Sequence, residues 1–238
     1  MKFSRRTSLI INYVINDIFP PFLRDSKWFM LPLMKLAFKE GYKIFIDFRE
    51  KAMTMSEEEY RDAYCKTAKY NLLKDSDLNQ ECINRIPQEI TGATLLEIGC
   101  GRGYMIEKLS KDKTLEITGT DIFFNSPIRN VDNLSFVTCS ANSLPFPDQC
   151  FDTTLCTHVL EHVRDIQTAI REIRRVTTKR MIIVIPKERP YRFGFNLHLT
   201  FFPYRYTVMQ IFASSSSATS TISCNQEGGD WFYIEDIT

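Results

Sequence analysis

Apolar positions change their period part-way along the chain, and the change divides it in two. Over roughly the first third they recur at helical spacing. Ile10, Tyr13, Val14 and Ile18 share one helical face until Pro20-Pro21 stops it. Residues 28–38 form an aromatic and aliphatic run broken by Pro32 and Lys35, with Phe45, Ile46 and Phe48 close behind. Ser56-Glu57-Glu58-Glu59 is a capping box, which predicts a helix from Glu57 to about Leu73 with Tyr60, Ala63, Tyr64, Thr67 and Ala68 on its apolar side. A break at Asp75-Ser76-Asp77 precedes a short helix over about residues 78–85, ended by Pro87.

From Thr94 onward, short apolar runs bounded by turn residues take over. Strands are predicted over residues 94–98, 115–120, 133–139, 151–157 and 181–186. Helices are predicted over residues 104–109 and 168–176, with His158 to His162 opening the second of them. Residues 213–221 are Ser-rich and are expected to be mobile. Residues 222–224 and 231–234, joined through Gln226-Glu227-Gly228-Gly229, read as a closing antiparallel hairpin. Alternating strands and helices of this kind predict an α/β fold, a doubly wound and mostly parallel sheet.

The chemistry concentrates where the first strand ends. Residues 94–98 run into Gly99, Gly101 and Gly103, a strand turning sharply into a helix whose free N–H groups suit an anion. A dinucleotide fingerprint would need a glycine at position 104, which is Tyr104. The pattern is instead acid-x-Gly-x-Gly-x-Gly, carried by Glu97, Gly99, Gly101 and Gly103, and it resembles the first motif of the class I S-adenosylmethionine (SAM)-dependent methyltransferases. Asp121 ends the second strand, at the interval where such a strand presents a carboxylate to ribose hydroxyls; the plainer alternative is a turn or helix-cap Asp. The family's Gly-Asp-Ala before a Leu-Pro-Phe turn is matched by Ala141 and Leu144-Pro145-Phe146, but Cys139-Ser140 stands where Gly-Asp is usual. A serine hydroxyl still accepts a hydrogen bond, without the charge that strengthens it. Phe151-Asp152, a strand, and then His158-Val159-Leu160-Glu161-His162 are very similar to the type 11 small-molecule branch, which includes quinone methyltransferases.

The resemblance implies a Rossmann-like seven-stranded methyltransferase fold that binds SAM. Its cofactor contacts would be Glu97, Gly99, Cys100, Gly101, Gly103, Asp121, Ile122, Ser140, Ala141 and Thr157. The implied activity is methyl transfer to a lipid-linked, quinone-like or saccharide acceptor, against the alternative of a non-catalytic SAM-binding or membrane-associated scaffold. His158 and His198 are the candidate bases, because imidazole titrates near neutral pH; for His198 a plain surface position is the equal alternative. The usual Pro-Gly-Gly turn before the fifth strand is replaced by Thr177-Thr178-Lys179, so a different loop is expected there. His158 to His162 also reads as an inverted zincin motif, with His198 as third ligand. Four preceding αβ units with a cofactor loop argue against that, and no metal is expected.

Charge and cysteine usage limit the partners. Thirty basic and 29 acidic residues leave a net charge of +1, so no global field draws the chain to nucleic acid, and none is expected as a partner. Seven cysteines without a Cys-x-x-Cys pair suit free thiols in a reducing compartment. Residues 1–6 are basic and residues 9–15 mostly apolar, yet Asn12 interrupts the run and no small-residue cleavage site follows. No apolar run approaches the ~18 residues of a membrane span, and a cytoplasmic protein is expected. The first fifty residues hold nine Lys or Arg against five Asp or Glu. Basic flanks around Trp, Phe and Leu suit a peripheral membrane contact through residues 20–48; the blander alternative packs this face on the catalytic domain or over its pocket. The expected division is a helical extension over residues 1–75, acting as lid or interface, and a methyltransferase domain over 76–238. The sequence carries no signal for the oligomeric state.

Overall fold

The helical spacing of the first stretch is realised as α1 (Pro21–Arg24), α2 (Lys27–Phe38), α3 (Tyr42–Lys51) and α4 (Glu57–Ala68). The structure is a computed structural model and describes residues 18–68, 70, 76–124, 133–216 and 219–237. The helix expected over residues 10–18 thus lies almost wholly outside the described residues, and that of the capping box is described to Ala68. The box itself forms: Glu59 N–H donates to Ser56 Oγ at 3.2 Å, and Ser56 N–H donates to the Glu59 carboxylate at 2.8 Å. Met30, Met34 and Phe38 recur every fourth residue on α2 and are buried with Phe45 and Phe48 of α3 and Ala63 of α4. Phe38 stacks on Phe45 with ring centres 3.9 Å apart.

A strap from further along the chain completes this core. Residues Arg189–Leu199 belong to the same compact unit as residues 1–75, and Phe193 and Leu197 are buried in it. Arg49 fastens the strap. Its Nε donates to His198 O at 2.8 Å, its Nη2 to Asn196 Oδ1 at 3.0 Å, and its guanidinium lies 4.6 Å from the centre of the Tyr191 ring. The second unit is therefore interrupted rather than continuous over 76–238: it comprises Ser76–Glu188 and Thr200–Thr238.

In that second unit α5 (Gln80–Glu89) leads into β1 (Thr94–Ile98), α6 (Tyr104–Leu109), β2 (Glu116–Asp121), β3 (Leu134–Thr138) and β4 (Phe151–Thr157). Then follow α7 (Ile166–Val176), β5 (Thr177–Pro186), α8 (Arg205–Phe212), β6 (Thr221–Glu227) and β7 (Asp230–Asp236). The seven strands form one sheet in the order β3-β2-β1-β4-β5-β7-β6, parallel from β1 to β5 and antiparallel at β7. Strand order reverses between β1 and β4, the place where open α/β sheets bind ligands at their carboxyl ends.

The unbroken apolar run of β5 follows from cover on both faces. Ile182 and Val184 pack with Phe232 and Ile234 of β7 under α5 and α6, whose Ile83, Ile86, Met105 and Ile106 are buried there. Met181, Ile183 and Ile185 pack with Trp231 and Tyr233 under α7 and α8, through Ile170, Ile173, Val208 and Phe212.

Three local expectations are corrected. Pro87 does not end its helix but sits inside α5, near its C-terminal end, where its missing N–H costs a single bond late in the helix. No loop separates α7 from β5: Thr177 is already extended, its Oγ1 donating to Ile173 O at 2.5 Å and lying 2.8 Å from Thr154 Oγ1. His158 to His162 opens no helix, as described below.

Candidate active site

The turn after β1 is shaped by three glycines in the left-handed region, Gly99 (φ 68°), Gly101 (φ 55°) and Gly103 (φ 77°). They serve different ends. A Cβ on Gly99 would lie 2.1 Å from Val159 Cγ2, so this glycine lets the turn after β4 close against the turn after β1. A Cβ on Gly101 would meet nothing within 4 Å, so the crest of the loop faces open space. Gly103 starts α6, and Glu107 N–H donates to its carbonyl at 2.8 Å. Cys100, buried, donates its N–H to Thr120 O at 2.9 Å and ties the loop to β2. Burial also holds its thiol well above the ordinary range.

Two carboxylates flank the loop. Glu97, on β1, is 3% exposed, and its Oε2 has no hydrogen-bond partner among the described residues. Burial pushes its carboxyl up to about 8, against the opposing Ile106 backbone N–H and with the Asp121 charge adding to the rise. Asp121, last in β2, accepts the Gly101 N–H at 2.8 Å and the Phe123 N–H at 3.3 Å. Burial raises its carboxyl, and these N–H groups and that of Ile122 oppose the rise. Both acids thus stand at the carboxyl ends of adjacent strands, with half-buried Ile122 next in the chain.

Beyond β3, Ser140 is exposed and its Oγ accepts the Asn142 N–H at 3.2 Å, closing a small turn with Ser143. Ala141 is buried against the core beneath it. Thr157 ends β4, half-buried and in register with Val184.

His158 follows with φ 53°, a conformation a β-carbon opposes, and its N–H donates to Val184 O at 2.9 Å. After Val159, Leu160–His162 is a single 3-10 turn, and α7 starts only at Ile166, capped by Asp165. The helical face that a zinc hydrolase motif needs is therefore not formed. The imidazole of His158 lies between two carboxylates: Nδ1 is 3.4 Å from Glu161 Oε1, and Nε2 is 3.4 Å from Asp230 Oδ2. Burial opposes the charge, but the Asp230 and Glu161 carboxylates outweigh it and hold the pKa well above the ordinary value. A ring that keeps its proton is not poised to accept another. The second candidate base, His198, is buried in the helical unit, so the two do not share a unit.

Asp230 and Asn79 were not among the expected site residues. Asn79 caps α5 by accepting the Cys82 N–H at 3.0 Å, and its Nδ2 donates to Asp230 Oδ2 at 2.7 Å. The only sequence signal for Asp230 is its place after the Gly228-Gly229 turn.

Comparison with known proteins agrees with this geometry. Residues 96–185, which span the loop, both carboxylates and the His158 turn, match the family described as "Methyltransferase domain", type 11. This chain carries a class I SAM-dependent methyltransferase domain. It is 34% identical over 90 residues to the uncharacterized methyltransferase YcgJ of Bacillus subtilis, covering 34% of this chain and 35% of that protein. It is 32% identical over 130 residues to the ubiquinone/menaquinone biosynthesis C-methyltransferase UbiE of Hahella chejuensis, covering 46% and 51%. The chain thus spans between about a third and a half of the length of these curated relatives. Its fold is that of the 1,6-didemethyltoxoflavin-N1-methyltransferase of Burkholderia thailandensis, at a TM-score of 0.54 and 16% identity, covering 76% of this chain and 86% of that one. For a methyltransferase of this class, the residues fit the cofactor: an orphaned buried carboxylate oxygen and an open glycine crest lie beside an acid at the next strand end.

Proposed function

We propose that the protein transfers the methyl group of SAM to a small-molecule acceptor of lipid-linked, quinone-like or saccharide type. The observation that carries this is the open space over Gly101, whose N–H is held by Asp121 of the neighbouring strand, at the point where strand order reverses. Bound there, SAM supplies a methyl group already activated on a sulfonium. The chain's part is to bind and to align: the Glu97 carboxyl would hold the polar end of the bound cofactor and Asp121 its sugar, while the N–H groups of Cys100 and Gly101, taken up by Thr120 O and by Asp121, fix the loop between them. Holding the acceptor in line is worth up to about 7–11 kcal/mol of barrier in favourable cases. No base is assigned, since His158 already holds its proton between Glu161 and Asp230.

A small acceptor is supported by the relatives, one a quinone-biosynthesis C-methyltransferase and another an N-methyltransferase of a toxoflavin precursor. The near-zero net charge also favours it over nucleic acid. Free thiols at Cys82, Cys100 and Cys156 support a cytoplasmic setting. Calorimetric titration with SAM tests the reading. The wild-type chain should bind, and Gly101→Arg, which fills the crest, should not; equal binding by both removes the cofactor assignment. A second reading, a SAM-binding scaffold without turnover, draws on Ser140, which brings no carboxylate and whose Oγ accepts the Asn142 N–H. Turnover of labelled SAM on a cell extract separates the two.

A further inference from the structure

Seven large apolar side chains stand exposed among the described residues, and four of them fall between residues 18 and 36: Ile18 (57%), Phe22 (75%), Trp28 (72%) and Leu36 (71%). They are not a packing accident. The inward face of α2 is already satisfied by Met30, Met34 and Phe38, all buried. The opposite face carries Trp28, Pro32, Lys35 and Leu36, with Lys39 just past the helix, at i, i+4, i+7, i+8 and i+11, and all five are exposed. Phe19 packs edge-on to Phe29 with ring centres 5.3 Å apart and ties the segment bearing Ile18 and Phe22 to α2.

We propose that α1 and α2 dock this unit on an anionic lipid surface, Trp28, Leu36 and Phe22 entering the headgroup boundary and Lys35 and Lys39 meeting the phosphates. α2 holds two lysines and no carboxylate, and Lys39 follows at its end. Of the nearby acids, Asp25 accepts the Arg192 N–H and Asp47 pairs with Lys27 and Lys51, while Glu40, just past Lys39, stays exposed. The first fifty residues carry nine basic against five acidic side chains, the sign that an anionic leaflet attracts. Trp at a membrane interface and Lys stems reaching outward are the chemistry of a helix lying in that plane. Spanning needs about 20 residues, and no described helix is long and apolar enough to cross.

The test uses the full chain, without SAM, so that its outcome is independent of the methyl-transfer reading. Flotation is measured with vesicles of phosphatidylcholine alone and with roughly a third phosphatidylglycerol. The protein should co-float with the anionic vesicles, less so at high salt, and its emission should shift to the blue. That shift reports Trp28, because the other tryptophan, Trp231, is buried in the sheet. Trp28→Ser with Leu36→Ser should weaken flotation by about tenfold or more and leave the far-UV circular dichroism unchanged, since both side chains are mostly exposed and Trp28 touches only the edge of Phe29 among the rings described. Three results would overturn the proposal. These are no flotation of the wild type at low salt, equal flotation of the double variant, and a self-association in sedimentation velocity that the double variant abolishes while vesicles are ignored.

Discussion

Glu97 makes the candidate site sensitive to pH in a direction opposite to most carboxylates. The folded protein keeps its proton up to about pH 8, whereas an exposed glutamate releases it near ~4.3. Stability therefore falls as pH rises between these values, and the loss is complete above the folded one. Glu97→Gln should melt with wild type at about pH 4 and increasingly above it toward pH 8, read as melting temperature against pH. His158 acts in the same sense, over a higher range of pH. Its raised pKa gives a contribution present in full below about pH 6.5 and lost as pH climbs through the folded value. His158→Gln leaves Glu161 and Asp230 facing each other without a cation, and should cost about 3–5 kcal/mol in urea unfolding at neutral pH. The deficit should shrink in alkali. The glycine pattern was legible in the sequence because turn geometry restricts residue type. The state of His158 was not, because Asp230 arrives from 72 residues away and nothing local announces it.

At the scale of elements, α7 is held to the sheet by more than its apolar stripe. Arg174 donates to both oxygens of Glu235 on β7, at 2.9 and 2.7 Å, and also to Phe212 O. Tyr233 OH donates to the same carboxylate at 2.7 Å. Glu235 is 1% exposed, so Arg174→Met should strand a buried charge at a cost of about 3–5 kcal/mol, measured by denaturant unfolding. A Glu235→Gln partner change should recover part of it. The strands after residue 94 were readable as short apolar runs bounded by turn residues, and the helices by their 3.6-residue period. The junctions were not. Thr177-Thr178-Lys179 looked like a loop by composition, yet β-branched residues suit a strand equally, and pairing of Thr177 with Phe151 settles it. His158 to His162 has helical spacing, but the positive φ at His158 and the closeness of Val159 to Gly99 force a turn first.

For the whole molecule, the first unit takes part of its core from residues 189–199, and this sets what can be cut. A chain starting at Ser76 should aggregate, because Phe193 and Leu197 lose the residues that bury them. Replacing residues 189–199 in that truncation by a short Gly-Ser linker should restore a monomer in size-exclusion chromatography; persistent aggregation would place the fault in the sheet unit instead. Sequence patterning could not announce the strap, since eleven residues without a period look the same whichever core they join.

The strap also orders events at the ribosome. The N-terminal helices emerge first, but their last apolar partners, Phe193 and Leu197, are made more than a hundred residues later. At about 5–20 residues per second, the early helices wait on the order of ten seconds, with Phe38, Phe45 and Phe48 short of their full cover. A nascent chain stalled before residue 189 should therefore be cut by protease among these helices, and one stalled well past residue 199 should resist.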